Sequence, residues 1–216
     1  MEAAGQPFDD FRALLEALPG ADTPALAAAR KRNSLLTKPE GALGRLEEIA
    51  MWLAAWSGRA PSVNRPMVAV FAGNHGIAAK GITPYPATVT QQMVGNFEKG
   101  GAAINQICAS VDLSLKIFDL ALDYPTGDIT VEPALSERDC AATMAYGMEA
   151  VAGGVDLLCL GEMGIGNTAI AAALCLGLYG GSAAEWVGPQ AATGLFAGMM
   201  LVFTLWFIMF TPVLKI

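Results

Sequence analysis

The stretch from Val155 to Leu178 constrains the fold more than any other part of the chain. Val155 to Leu160 is a short, continuous apolar run, the pattern of a strand buried on both faces, as strands of parallel sheets are. Gly161, Gly164 and Gly166 then fall within six positions, where a backbone must turn sharply or approach something closely. Thr168 opens an Ala/Leu-rich segment, Ala169 to Leu178, that reads as a helix ending at Gly180-Gly181. Strand, glycine turn and helix start together make a site for an anion. The first-turn amides have no intrahelical partner, and the helix dipole puts partial positive charge there. Glu162 is expected in the turn itself, where a purely structural loop has no need of a carboxylate.

Taken alone, this turn leaves several readings open. Gly161-x4-Gly166-Asn167-Thr168 has the spacing of a phosphate-binding P-loop, but Asn167 stands where the phosphate-reaching lysine belongs. Gly164-x-Gly166-x-x-Ala169 matches a dinucleotide fingerprint, with Glu185 at a suitable distance for a ribose hydroxyl. The Gly-Gly-Ser-Ala-Ala before Glu185 makes a poor second strand, however. A tight strand-to-helix connection without a ligand fits as well.

The rest of the chain repeats the strand–helix alternation. Met67 to Ala72 is a second buried-type run, ending in Gly73-Asn74-His75-Gly76. Ligands of open α/β sheets bind at the carboxyl ends of strands, so His75 is a candidate by position, against the alternative of a satisfied structural histidine. Gly81 to Pro86 cannot be helical, whereas Thr88 to Phe97 reads as a helix with Val89, Met93 and Phe97 on one side. Gly100-Gly101 opens another helix over Ala102 to Ala109, a second candidate anion cradle. Leu113 to Phe118 is a further strand, and Ser136 with Asp139 starts a helix that reaches Gly153-Gly154. This alternation predicts an α/β fold with a mainly parallel sheet.

Three helices precede the first strand. Phe8 to Leu18 forms one, and Thr23-Pro24 caps and starts a second that runs to about Leu36. Leu43, Leu46, Ile49 and Leu53 mark the third, with Glu47 and Glu48 expected on its wet face. The connecting loop carries Lys38 and Arg45, which read either as solvated charges or as cations for an anionic ligand. The predicted division is a helical part over 1–60, an α/β nucleotide-binding part over 61–189, and an apolar tail over 190–216.

Composition excludes several functions. A net charge of −7 with no Lys/Arg cluster argues against nucleic acid, and a single histidine puts a His-rich metal site out of reach. The four cysteines lack CxxC spacing and read as reduced, structural thiols. Met1 to Asp10 has no apolar core of a signal peptide, so a cytoplasmic protein is expected. Leu195 to Leu214 carries no charge and is long enough to span a bilayer, which makes membrane association the alternative.

Five blocks, taken together, carry a family resemblance: Leu36-Thr-Lys-Pro-Glu-Gly-Ala-Leu-Gly-Arg-Leu-Glu47, Gly73-Asn-His-Gly76, Pro86-x-x-Val-Thr90, Gly100-Gly-Ala-Ala-Ile-Asn105 and Gly161-Glu-Met-Gly-Ile-Gly-Asn-Thr168. In this order, over about residues 8–189, they resemble the nicotinate-nucleotide:dimethylbenzimidazole phosphoribosyltransferases, which assemble the lower nucleotide loop of cobalamin. The resemblance implies a Rossmann-like three-layer domain with a small helical part built from both chain ends, a homodimer, and neither metal nor tightly held cofactor. It implies that a ring nitrogen of 5,6-dimethylbenzimidazole attacks C1′ of nicotinate mononucleotide, releasing nicotinate and forming α-ribazole 5′-phosphate with inversion. Gly164, Gly166, Asn167 and Thr168 would then meet the nucleotide, and Glu162 would lie beside its ribose or the reacting centre. Tyr85, Pro86 and Met93 match the aromatic-base side, and Gly100 and Gly101 the second cradle. Family members are expected to run to roughly half again this length. Their general-base glutamate falls in the C-terminal part that this chain does not match, so no base is assigned. Read without the family, the turn admits an NAD-binding oxidoreductase and the tail a membrane-tethered, non-catalytic nucleotide-binding protein.

Overall fold

The computed structural model describes residues 5–182. The apolar segment 195–214 and Glu185 lie outside the described residues. Three helices lead: α1 (Asp9–Glu16), α2 (Thr23–Ser34) and α3 (Arg45–Ser57). The cap of α2 is Asp22 rather than Thr23: its carboxylate accepts the Ala25 N–H at 2.8 Å. An aspartate one residue upstream reaches the same orphan amide and adds its charge at the positive end of the helix dipole. The Asp22 N–H donates to the Ala55 carbonyl at 2.7 Å, which ties the start of α2 to the end of α3.

Glu47 departs from expectation. It is not on a wet face but is folded under the 36–44 loop, where it accepts from Lys38 Nζ at 2.8 Å, Asn33 Nδ2 at 2.8 Å and the Leu43 N–H at 3.1 Å. The Lys38 and Glu47 side chains are only 13% and 12% exposed. Those three donors, Lys38 first, hold the Glu47 carboxyl down at about 2. Arg45 pairs with Glu48 at the surface. Both loop cations are therefore engaged within the chain.

The sheet has three parallel strands, β1 (Pro66–Ala72), β2 (Ser114–Asp119) and β3 (Leu157–Met163), in the order β2-β1-β3. The central strand is covered on both faces, which is why its sequence is a continuous apolar run. Met67 and Ala69 pack with Leu158, Ala150 and Val151, and Phe71, Phe118 and Met148 extend that cluster. Val68 and Val70 pack on the opposite face with Cys108, Phe97 and Ile104. Helices α4 (Thr88–Glu98) and α5 (Ala103–Ser110) thus cover one face. The other is covered from α6 (Glu137–Met148) and the 3-10 turn Glu149–Val151 that continues it. The result is the expected α/β three-layer arrangement. Asp156 anchors the amino-terminal edge, accepting the Asn64 and Arg65 amides at 2.7 and 2.8 Å.

β3 starts later and runs further than its local sequence suggests. Pairing with β1 continues through Phe71↔Glu162 and Ala72↔Met163, so Gly161 and Glu162 belong to the strand and not to the turn. Parallel pairing up to the end of β1 outweighs the local glycine signal. Helix α7 (Asn167–Tyr179) follows, one residue earlier than expected. Among the described residues, no helix is long and apolar enough to cross a membrane.

Candidate active site

The strand order creates the site. From β1 the chain crosses to β2 on one side and later to β3 on the other, so its direction of winding reverses between β1 and β3. A crevice opens outside the carboxyl ends of strands at such a point, because the connections leave in opposite directions. The segment after β1 is Gly73 to Gly76, and the segment after β3 is Gly164 to Asn167. The fold brings these two blocks, 88 residues apart at Gly76 and Gly164, into direct contact.

Their approach is close enough to dictate glycine. The Gly73 N–H donates to the Met163 carbonyl at 3.0 Å. A Cβ on Gly164 would run into the Gly73 carbonyl oxygen and lie 2.9 Å from His75 Nε2. Gly166 has φ +91°, in the left-handed region, and caps α7. The Asn167 N–H donates to the Gly164 carbonyl and the Ala169 N–H to the Gly166 carbonyl, both at 3.1 Å. The turn also lies beside the 3-10 segment Gly76–Lys80 and the residues after it, since a Cβ on Gly166 would be 3.5 Å from Ile77 Cγ2 and from Ile82 Cδ1.

Asn167 links the carboxylate to the helix start. Its Nδ2 donates to Glu162 Oε1, and its Oδ1 accepts the Thr168 N–H at 2.8 Å. An asparagine turned back onto Glu162 is occupied differently from a P-loop lysine extended toward a phosphate. Glu162 is half-buried, on the same sheet face as Phe71. Burial pushes its carboxyl above the usual range, and the Asn167 bond works against that shift. His75 is held below its ordinary value by burial. Its Nδ1 and the neighbouring Asn74 Oδ1 are buried without a partner among the described residues.

The other predicted residues divide into two groups. Tyr85 and Pro86 directly precede α4, and Met93 lies one turn beyond Thr90, whose hydroxyl oxygen accepts the Ile165 N–H at 3.1 Å. That bond places the start of α4 against the glycine turn. Gly100 and Gly101 lie at the far end of α4, about 15 Å along its axis from Thr90. Their amides are already engaged, with Phe97 and Asn96 carbonyls, and the Ala102 amide with Asn105 Oδ1. Sequence reasoning missed Asn74 and Thr90 as contributors. Thr90 carried a signal, as a hydroxyl on the otherwise apolar side of an amphipathic helix. The described residues also contain a cleft of about 500 Å³, but it lies between α2 and α3, away from this crevice. Among them, no cluster of His, Cys, Asp or Glu has the makings of a metal site.

Fold and crevice define a doubly wound α/β protein with a glycine turn and a helix start at the carboxyl end of its parallel sheet. Comparison with known proteins narrows this. The family model described as "Phosphoribosyltransferase" matches residues 18–198. A nicotinate-nucleotide–dimethylbenzimidazole phosphoribosyltransferase of Allorhizobium ampelinum is 78% identical over 189 residues, 88% of this chain and 56% of that protein. The corresponding protein of Sinorhizobium medicae is 76% identical over the same length. A crystal structure of the enzyme from Thermus thermophilus superposes with a TM-score of 0.70 at 37% identity, covering 82% of this chain and 62% of that one. The chain belongs to the nicotinate-nucleotide–dimethylbenzimidazole phosphoribosyltransferase family. It spans about half the length of those rhizobial relatives, 56% in both cases.

Proposed function

We propose that this chain serves transfer of the phosphoribosyl group of nicotinate mononucleotide to 5,6-dimethylbenzimidazole, in assembly of the cobalamin nucleotide loop. The observation that carries the reading is the Glu162–Asn167 pair at a glycine turn in the β1–β3 crevice. Family membership supplies the substrates. In the reaction, a benzimidazole ring nitrogen forms a bond to C1′ while the C1′–nicotinate bond breaks. Nicotinate leaves with the bonding electrons, and the benzimidazole N–H proton passes to a base that is not assigned among residues 5–182.

The chain's own residues hold and polarise the donor. The α7 first turn at Gly166, Asn167 and Thr168 takes the 5′-phosphate at the positive end of the helix dipole, with the Thr168 amide exchanging Asn167 Oδ1 for a phosphate oxygen on binding. One Glu162 oxygen is held by Asn167, which leaves Oε2 to accept from a ribose hydroxyl or to face the positive charge that develops at C1′. Tyr85, Pro86 and Met93 line the aromatic-base side beside the start of α4. His75 packs against Gly164 and supports the turn. In this division, residues 5–60 form a helical part in which α2 packs on α3. Exposed Leu35, Leu43, Leu46 and Ile49 favour a homodimer through that part.

The test is calorimetric binding with nicotinate mononucleotide and its riboside, together with an assay for α-ribazole phosphate. A charge-assisted hydrogen bond contributes about 1.5–3 kcal/mol, so the nucleotide should bind more tightly by at least about tenfold. Equal affinities remove the phosphate assignment. Glu162→Gln keeps the acceptor for Asn167 and so keeps the fold, but it should lower turnover well beyond about threefold. A smaller loss makes Glu162 structural.

A further inference from the structure

Among the described residues, Thr90 is the polar side chain that is buried, at 0% exposure. A threonine inside a helix ordinarily bonds back to its own helix, three or four residues earlier. Thr90 Oγ1 instead accepts the N–H of Ile165, 75 residues away, at 3.1 Å. Valine has the same shape and would fill the same space without a hydroxyl to desolvate, so packing alone does not account for threonine here. The bond falls at the centre of the glycine turn, between Gly164 and Gly166.

From that bond a connected chain of contacts leads to the site. Holding the Ile165 N–H fixes the plane of the Gly164–Ile165 peptide. The carbonyl of that peptide accepts the Asn167 N–H at 3.1 Å, and Asn167 in turn donates to Glu162. The next residue, Gly166, must take the left-handed conformation that starts α7. Gly164 sits so close to Gly73 and His75 that a Cβ would not fit, and Thr90 holds the next residue of the turn. We propose that Thr90 is a positioning residue, whose buried hydroxyl holds the glycine turn so that the α7 first turn and Glu162 meet the nucleotide in register. It touches no substrate and acts through Ile165. The inference rests on the phosphate reading given above.

The test uses the full 216-residue chain and the variants Thr90→Val, which loses the acceptor, and Thr90→Ser, which keeps it. Affinity is measured for nicotinate mononucleotide and for its riboside, and amide exchange is followed at Ile165 and along β3. With Thr90→Val, affinity for the nucleotide should fall by about tenfold or more and that for the riboside by clearly less, because both share the Glu162 contact with the ribose but only the nucleotide has phosphate contacts to lose. Ile165 should lose exchange protection while the β3 amides keep theirs, and Thr90→Ser should restore both. A merely structural role would weaken both ligands alike and loosen β3 together with the turn. A valine chain that keeps the wild-type ratio of affinities overturns the proposal, as does a serine chain that behaves like valine. Should the valine chain not fold, Thr90→Ala makes the same comparison. In the wild type alone, an Ile165 amide that exchanges as fast as open loops refutes the bond. Failure of the phosphate reading looks different, because wild type would then bind nucleotide and riboside equally before any substitution.

Discussion

Replacing Gly164 with alanine tests how tightly the two crevice segments are pressed together. The new methyl group would meet the Gly73 carbonyl oxygen and lie 2.9 Å from His75 Nε2 and 3.2 Å from its Cδ2. A backbone carbonyl cannot swing aside as a side chain tip can, so the turn or the end of β1 must shift. Overpacking of this kind costs about 1–3 kcal/mol, against about 0.4–1 kcal/mol recovered from a stiffer unfolded chain. A net loss of about 1–2 kcal/mol lowers the melting temperature by about 2–8 °C for a chain of this size. The shift also moves the α7 first turn, and loss of one charge-assisted contact reduces nucleotide affinity about 10- to 150-fold. Thermal unfolding followed by circular dichroism and calorimetric titration with nicotinate mononucleotide read the two effects. His75→Ala in the same chain should not rescue either, because the Gly73 carbonyl remains in the way. An alanine chain with unchanged melting temperature and unchanged affinity would refute the reasoning. Gly166→Ala makes the contrast. There the methyl group finds 3.5 Å clearances, and the cost of about 1–2 kcal/mol is backbone strain at φ +91°.

Two further outcomes concern pH. His75 is the single histidine, so its imidazole proton signals titrate without overlap and should give a value below about 6.5, the ordinary one. Since folding depresses that value, the stability His75 contributes is present above about 6.5 and is lost as the pH falls toward the folded value, a slope that His75→Gln should remove. A titration at or above the ordinary value would contradict its burial. Glu47 is depressed to about 2 from 4.5, so its contribution is complete above 4.5 and fades as the pH drops through that window. Glu47→Gln should therefore destabilise the protein at about pH 6 and approach wild type at pH about 2. Parallel melting curves across that range would show that the Lys38–Glu47 contact adds nothing.

Where the sequence alone was a good guide, the determinant was local. β1 is legible because a strand covered on both faces must be apolar at every position, and Met67 to Ala72 is. The helix start at Ser136 is legible because a serine reaches the amide three residues on, as Ser136 does with Asp139 at 3.1 Å. The glycine turn announced a close approach, and the five blocks together pointed to the family.

What local pattern could not supply was the partner. Glu47 reads as a solvated helix charge until the 36–44 loop closes over it with Lys38. Glu162 reads as a turn residue until β1 lies beside it and extends the strand through Met163. Nothing near Gly164 in sequence says that it is Gly73 and His75 that forbid a side chain there, and nothing near Thr90 says that its hydroxyl belongs to Ile165. Periodicity, caps and glycine spacing depend on neighbours a few residues apart, so the elements and their order are legible along the chain. The crevice depends on strands placed side by side in the order β2-β1-β3. Only the packed tertiary structure decided which distant groups face one another across it, because that choice is made by burial and hydrogen bonding between segments the chain keeps far apart.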